Sequence, residues 1–335
     1  MTKLKELIGI MKDKASQGKA AILSKRITLY LLRATSHDSF TPPTHKHIST
    51  LLSFGDGSRA TASAAVELLM NRLQTTQNSA VALKCLIAVH HIIKHGTFIL
   101  KDQLSVFPSS GGRNYLNLSN FRDKSTPISW ELSSWVRCYA KHVEQLLCTS
   151  RILGFFLSGE TNDAPETREE RASGLTNGDL LRETEALLVL IEGVGEIPES
   201  GSVEENKLVG EIVGLVEEDG VAALSEVCVR VNEFRERLGC LCFGEVVELV
   251  YAMKRLEGCK EKIAMMKVMV EVAEKMRMWD SVRELKEKVE NMEEGKLYRR
   301  KVTRHVSDRF AVAVLSSVDL VQFRSTRFWF ESDDL

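Results

Sequence analysis

Residues 78–96 read N-S-A-V-A-L-K-C-L-I-A-V-H-H-I-I-K-H-G. Val81, Cys85, Ile92 and Ile93 fall on positions that one helix would bury, so a central helix is predicted from about Asn78 to His95. Gly96 supplies its C-cap, with Lys94 and His95 at the negative end of the helix dipole. Outward from this segment the helical spacing persists. On the N-terminal side Leu23, Ile27, Tyr30 and Leu31 mark a helix over 19–33, and Ala62, Val66, Leu69 and Leu73 mark another over 58–73. On the C-terminal side Thr126-Pro127 gives a start signal, and Leu132, Val136, Tyr139, Val143 and Leu146 carry a helix to about Phe156. The chain is expected to be all-α.

Composition agrees. In 335 residues, 44% are hydrophobic, 27% are charged and only six are proline, which favours helices over a sandwich or barrel. Apolar runs such as 186–191 and 310–315 fall short of a membrane span, and residues 1–19 have no signal-peptide core. A cytosolic protein is expected. Seven cysteines, odd in number and mostly within helical patterns, fit reduced thiols, and Cys240-x-Cys242 lacks a second ligand pair for zinc.

A net charge of −1 hides a strong asymmetry. Residues 1–47 hold nine Lys or Arg against three acids, 159–220 hold seventeen acids against four basic residues, and 296–309 are basic again. Such separation suits one end facing an anionic surface. The expected organisation is a basic segment 1–18, a helical unit 19–157, an acidic linker 158–178, a second helical bundle 179–292 and a weakly ordered tail 293–335. Residues 101–128 are read as a long polar loop. Asp179-Leu180-Leu181, at a helix start, reads as a cap followed by core leucines.

The candidate site is Arg33 to His47, R-A-T-S-H-D-S-F-T-P-P-T-H-K-H. One helix should stop near Arg33, and Pro42 or Pro43 suits the first turn of the next, over 43–53. Unpaired N–H groups at that start, beside Arg33, Lys46, His45 and His47, offer an anion many donors. A sugar phosphate fits better than DNA. A metal site at His37, Asp38, His45 and His47, or catalysis at His90-His91, has no supporting motif, so neither an enzyme nor a metal or cofactor is expected. Near-neutral charge also argues against nucleic acid.

Several stretches together resemble the ANTH-domain clathrin assembly proteins, especially the plant members. Arg33-Ala34-Thr35 opens a motif that the family writes as Lys-Ala-Thr, six residues, Pro, Lys, any residue, Lys, His, and Lys46-His47 closes it. Arg72 with Thr75, Val81 to Ile87, His90, Gly96, Asn117 to Asp123 and Ser133 to Tyr139 also match. The resemblance implies a superhelical, ENTH/VHS-like stack of helices continued by a C-terminal helical bundle. It further implies an adaptor that binds phosphatidylinositol 4,5-bisphosphate membranes and recruits or assembles clathrin in endocytosis, at the cytoplasmic face of coated pits and vesicles or the Golgi. Arg33, Lys46 and His47 would contact the head group, with His37, Thr44 and His45 as weaker contributors. Vesicle SNAREs and clathrin adaptors are further implied partners. A helical scaffold for cargo or SNARE binding without lipid is the alternative. Two departures stand out: one extra residue in the spacing, and Thr44 where the first family lysine falls. Loss of one charge-assisted contact costs about 1.5–3 kcal/mol.

Overall fold

The computed structural model describes residues 11–12, 14, 26–38, 40–108, 111, 114–157, 165–198 and 206–289. The expectations for the rest of 1–25, for 158–164 and for the tail 293–335 with its basic block lie outside these. Among the described residues there is helix and no strand. The order is α1 (Arg26–Ala34), α2 (His45–Leu52), α3 (Arg59–Thr75), α4 (Ser79–His95), α5 (Phe98–Ser105), α6 (Pro127–Leu153), α7 (Pro165–Ser173), α8 (Asn177–Val194), α9 (Lys207–Arg237), α10 (Phe243–Gly258), α11 (Lys260–Ala264), α12 (Lys267–Lys275) and a last helix over 278–289.

Helix starts follow from side-chain acceptors. Ser58, Asn78, Thr126, Thr176 and Asn206 each accept a backbone N–H two or three residues on, a cap worth about 1 kcal/mol. Pro127 occupies the first turn of α6, whose end is set by Gly154 at φ +76°, a left-handed conformation that favours glycine. At Gly96, after α4, a Cβ would lie 2.4 Å from the Ile92 carbonyl oxygen, so the predicted cap position also needs glycine for space.

The helices pack in sequence. α1 lies on α2 and α3, α3 on α4 and α5, α4 on α6, α6 on α8, α8 on α9 and α10, and α9 on α7 and α12. α4 is the core element the sequence predicts: Val81, Cys85, Ile92 and Ile93 are all buried, as is nearly every other residue from Ser79 to Lys94. Two sequence readings need correction. Residues 101–105, the start of the stretch read as loop, belong to α5, where Leu100 and Leu104, one turn apart, are both buried. Within the stretch read as an acidic linker, 165–173 form α7, which packs on α9. Leu180 and Leu181 are buried in α8 behind the Thr176 cap, so they are core residues.

Polar clusters join helices before and after residue 158. Asp219 of α9 is fully buried. It accepts from Lys94 Nζ of α4 at 3.1 Å, and its other oxygen lies 2.7 Å from His142 Nε2 of α6 and 3.0 Å from His90 Nε2 of α4. His90 Nδ1 is 2.8 Å from the Tyr139 hydroxyl, and Lys94 also pairs with Glu218 at 2.9 Å. Burial alone would raise the Asp219 carboxyl, but the two imidazoles outweigh it and hold the group well below the usual carboxylate range. Burial, only partly opposed by Asp219, holds His90 below its ordinary value. A buried charge of this kind is tolerated only with such partners. A second cluster joins α8 to α9, where buried Arg230 donates to Glu183 at 2.5 Å and to Glu226 at 2.7 Å. Arg171 of α7 lies over the Phe155 ring at 4.0 Å.

Candidate functional site

The site grows out of the end of α1. Leu31, Leu32 and Ala34 are buried, which leaves Arg33 exposed on the last turn. Its guanidinium lies 5.8 Å from the centre of the Tyr30 ring, which in turn contacts Phe54. The chain beyond is pinned from below. Thr35 is buried, donates its hydroxyl to the Leu31 carbonyl at 2.7 Å, and accepts from Arg72 Nε of α3 at 2.6 Å. A second Arg72 nitrogen reaches the Thr35 carbonyl at 2.7 Å. Lys84 of α4, 1% exposed, donates to Ser36 Oγ at 3.0 Å. Asp38 is exposed but tied to its own loop, accepting from Phe40 N at 3.0 Å and from the Thr41 hydroxyl. Burial pushes its carboxyl up, but these bonds and the charge of Lys84 leave it below its ordinary value.

α2 begins at His45, two residues later than the sequence predicts. Thr44 is the N-cap and its hydroxyl accepts from His47 N at 3.4 Å, so the two prolines precede the helix instead of filling its first turn. A side-chain acceptor there outcompetes Pro43, which has no donor to give. The His47 and Ile48 amides bond to the Thr44 carbonyl, while those of His45 and Lys46 have no acceptor among the described residues. They face outward at a helix start, where anions are favoured.

Three of the residues singled out in the sequence come together. Burial first, and then the charges of Arg33 and Lys46, hold the His47 imidazole below its ordinary value. Their fields therefore overlap at one ring. Neither Arg33 nor Lys46 has a carboxylate within ion-pair reach among the described residues. His45 and Thr44 are exposed beside them, and His37 is half-buried in the connection between α1 and α2. Sequence reasoning missed the clamps, Arg72 and Lys84. Lys84 had a visible signal, a lone cation in the apolar run from Ala80 to Val89.

Among the described residues no group of three or more His, Cys, Asp or Glu is placed to hold a metal ion. His90 belongs to the buried cluster, and His91 Nε2 lies 3.6 Å from a Glu211 oxygen. No described helix is long and apolar enough to cross a membrane.

The described residues thus define the class as an all-helical stack, with the exposed cations Arg33 and Lys46 at the junction of α1 and α2. The ANTH domain matches residues 28–211, from α1 into α9. A clathrin assembly protein, so named, of Arabidopsis thaliana is 54% identical over 272 residues, covering 79% of this chain and 74% of the relative. Two others of the same name and organism are 33% and 30% identical, covering 77% and 79% of this chain and 78% and 92% of their own lengths. The chain belongs to the ANTH-domain family.

Proposed function

We propose that this protein is a phosphoinositide-binding membrane adaptor that recruits or assembles clathrin at coated pits and vesicles. The observation that carries the lipid part is the exposure of Arg33 and Lys46, with no carboxylate within ion-pair reach among the described residues, beside two helix-start amides without an acceptor there. A head group with several phosphates is the anion such a spread of donors fits best. The clathrin part rests on the names of the relatives. Each basic residue near an anionic leaflet contributes about 1 kcal/mol, so a single copy binds weakly and clustering in a coat strengthens attachment. Vesicle SNAREs and other adaptors are further candidate partners.

The test uses the full chain, because α9 packs on both α4 and α6. Sedimentation with phosphatidylcholine vesicles containing phosphatidylinositol 4,5-bisphosphate should weaken steeply with salt. Lys46→Glu combined with His47→Glu should lower the affinity by at least about tenfold. Absence of wild-type sedimentation, or indifference to the double change, would refute the lipid reading. Light scattering of purified clathrin tests the assembly part separately.

A further inference from the structure

On α6, Arg137, Cys138 and Lys141 lie at helical spacing on one face. Opposite them runs the irregular segment that includes Leu116 and Leu118, and Glu196, beyond α8, closes one end. Together these border an open groove of about 500 Å³. At its edge Arg137, which lines the groove, meets Arg122, which lies just outside it. Arg137 Nη1 donates to the Phe121 carbonyl at 3.1 Å, and Arg122 Nη1 donates to the same oxygen at 2.7 Å and to the Ser119 carbonyl at 3.2 Å. Two guanidiniums thus converge on one neutral acceptor, and neither has a carboxylate within ion-pair reach among the described residues. Burial and then the charge of Arg122 hold Arg137 below its ordinary value, as an uncompensated pair should. Lys141 is tied to Glu196 at 2.7 Å, but both are exposed, and such pairs contribute little and open readily.

We propose that this groove binds a short, extended segment of a partner protein that carries an acidic residue next to apolar ones. Its carboxylate would take the free guanidinium nitrogens of Arg137 and Arg122. Its apolar side chains would rest against Leu116, Leu118 and Cys138. A bidentate arginine is suited to a carboxylate. The acidic residues of the wall, Glu144 and Glu196, repel a densely charged ligand. A concave groove also suits a chain better than a flat lipid surface. None of the groove residues belongs to the Arg33–His47 ledge, so the two sites fail or survive separately.

The experiment is a random-heptapeptide display selection on the immobilised full chain. Enriched peptides are then synthesised with a fluorescent label and titrated by polarisation. The expected result is enrichment of Asp or Glu beside Leu, Ile or Phe, with affinity lowered at least about tenfold by Arg137→Glu, partly kept by Arg137→Lys and unchanged by Lys46→Glu. Circular dichroism melting monitors the fold. If Arg137→Glu does not fold, Arg122→Glu on the exposed neighbour gives the same reading. Failure to enrich acidic-apolar sequences, or binding indifferent to both arginine changes, overturns the proposal. So does loss of vesicle sedimentation in Arg137→Glu without peptide binding, which would make the groove a lipid contact.

Discussion

The Arg33–His47 ledge and the Asp219 cluster both draw on lysine and histidine, the first at the junction of two helices and the second on the buried faces of three. On the ledge, Arg33 and Lys46 are exposed with no carboxylate within ion-pair reach among the described residues, and His47 sits in their combined field. In the cluster, Lys94, His90 and His142 surround one buried carboxylate, and Lys94 has a second acid in Glu218. Unpaired cations store the capacity to bind an anion, whereas the paired ones have spent it on joining α4, α6 and α9. The chemistry of a side chain is common to both regions; its partners decide what it does.

The strongest way to break this comparison is to remove the central acid. Asp219→Asn removes the buried carboxylate shared by Lys94, His90 and His142, leaving Lys94 with Glu218 alone, and should cost about 3–5 kcal/mol in chemical denaturation. Lys46→Glu should change stability by less than about 0.5 kcal/mol while weakening vesicle binding. If Asp219→Asn unfolded no more easily than Lys46→Glu, the cluster would not be the structural joint described here.

Acidification should separate the two histidines. His90 has a folded-state value below its unfolded one, so the unfolded chain takes up the proton first. Stability should therefore fall as pH drops below about 6.5, by at most about 1.4 kcal/mol per pH unit for one proton. Asp219 adds to this only further down, since its depressed value gives stability that is present above about pH 4 and is lost as pH falls through the folded value. His47 behaves oppositely in function. Burial and the charges of Arg33 and Lys46 oppose its protonation, a bound phosphate favours it, and so vesicle binding should strengthen from pH 7 to 6. Thermal melts and sedimentation over that range test both, with His90→Gln flattening the first and His47→Gln the second.

Much of this was legible in the sequence, for physical reasons that differ by region. The core position of α4 follows from its apolar periodicity, and the place of the ledge follows from cations around a Pro-Pro break. The Asp219 cluster was not legible, because Lys94 and Asp219 are 125 residues apart and only packing brings them together. A buried aspartate in α9 looks, in sequence, like one more acid in an acidic stretch. α5 was missed because eight residues give periodicity little room to show. The late start of α2 was missed for a subtler reason: both prolines and Thr44 are good helix starters, and a sequence does not say which one wins.

That choice at Thr44 gives the finest test of the comparison, because here the ledge carries a structural duty of its own. Relative to the family motif the position should be lysine, yet the threonine hydroxyl caps α2 by accepting from His47 N. Thr44→Lys adds a cation to the ledge, worth about 1 kcal/mol at an anionic membrane or roughly fivefold in affinity. It also removes the cap, at a cost of about 1 kcal/mol in stability. Tighter sedimentation together with easier denaturation is the expected pair of outcomes. Tighter binding with unchanged stability would show that the 3.4 Å cap contributes little. Unchanged binding would mean that a cation at 44 does not reach the bound head group, and that the ledge ends at Lys46.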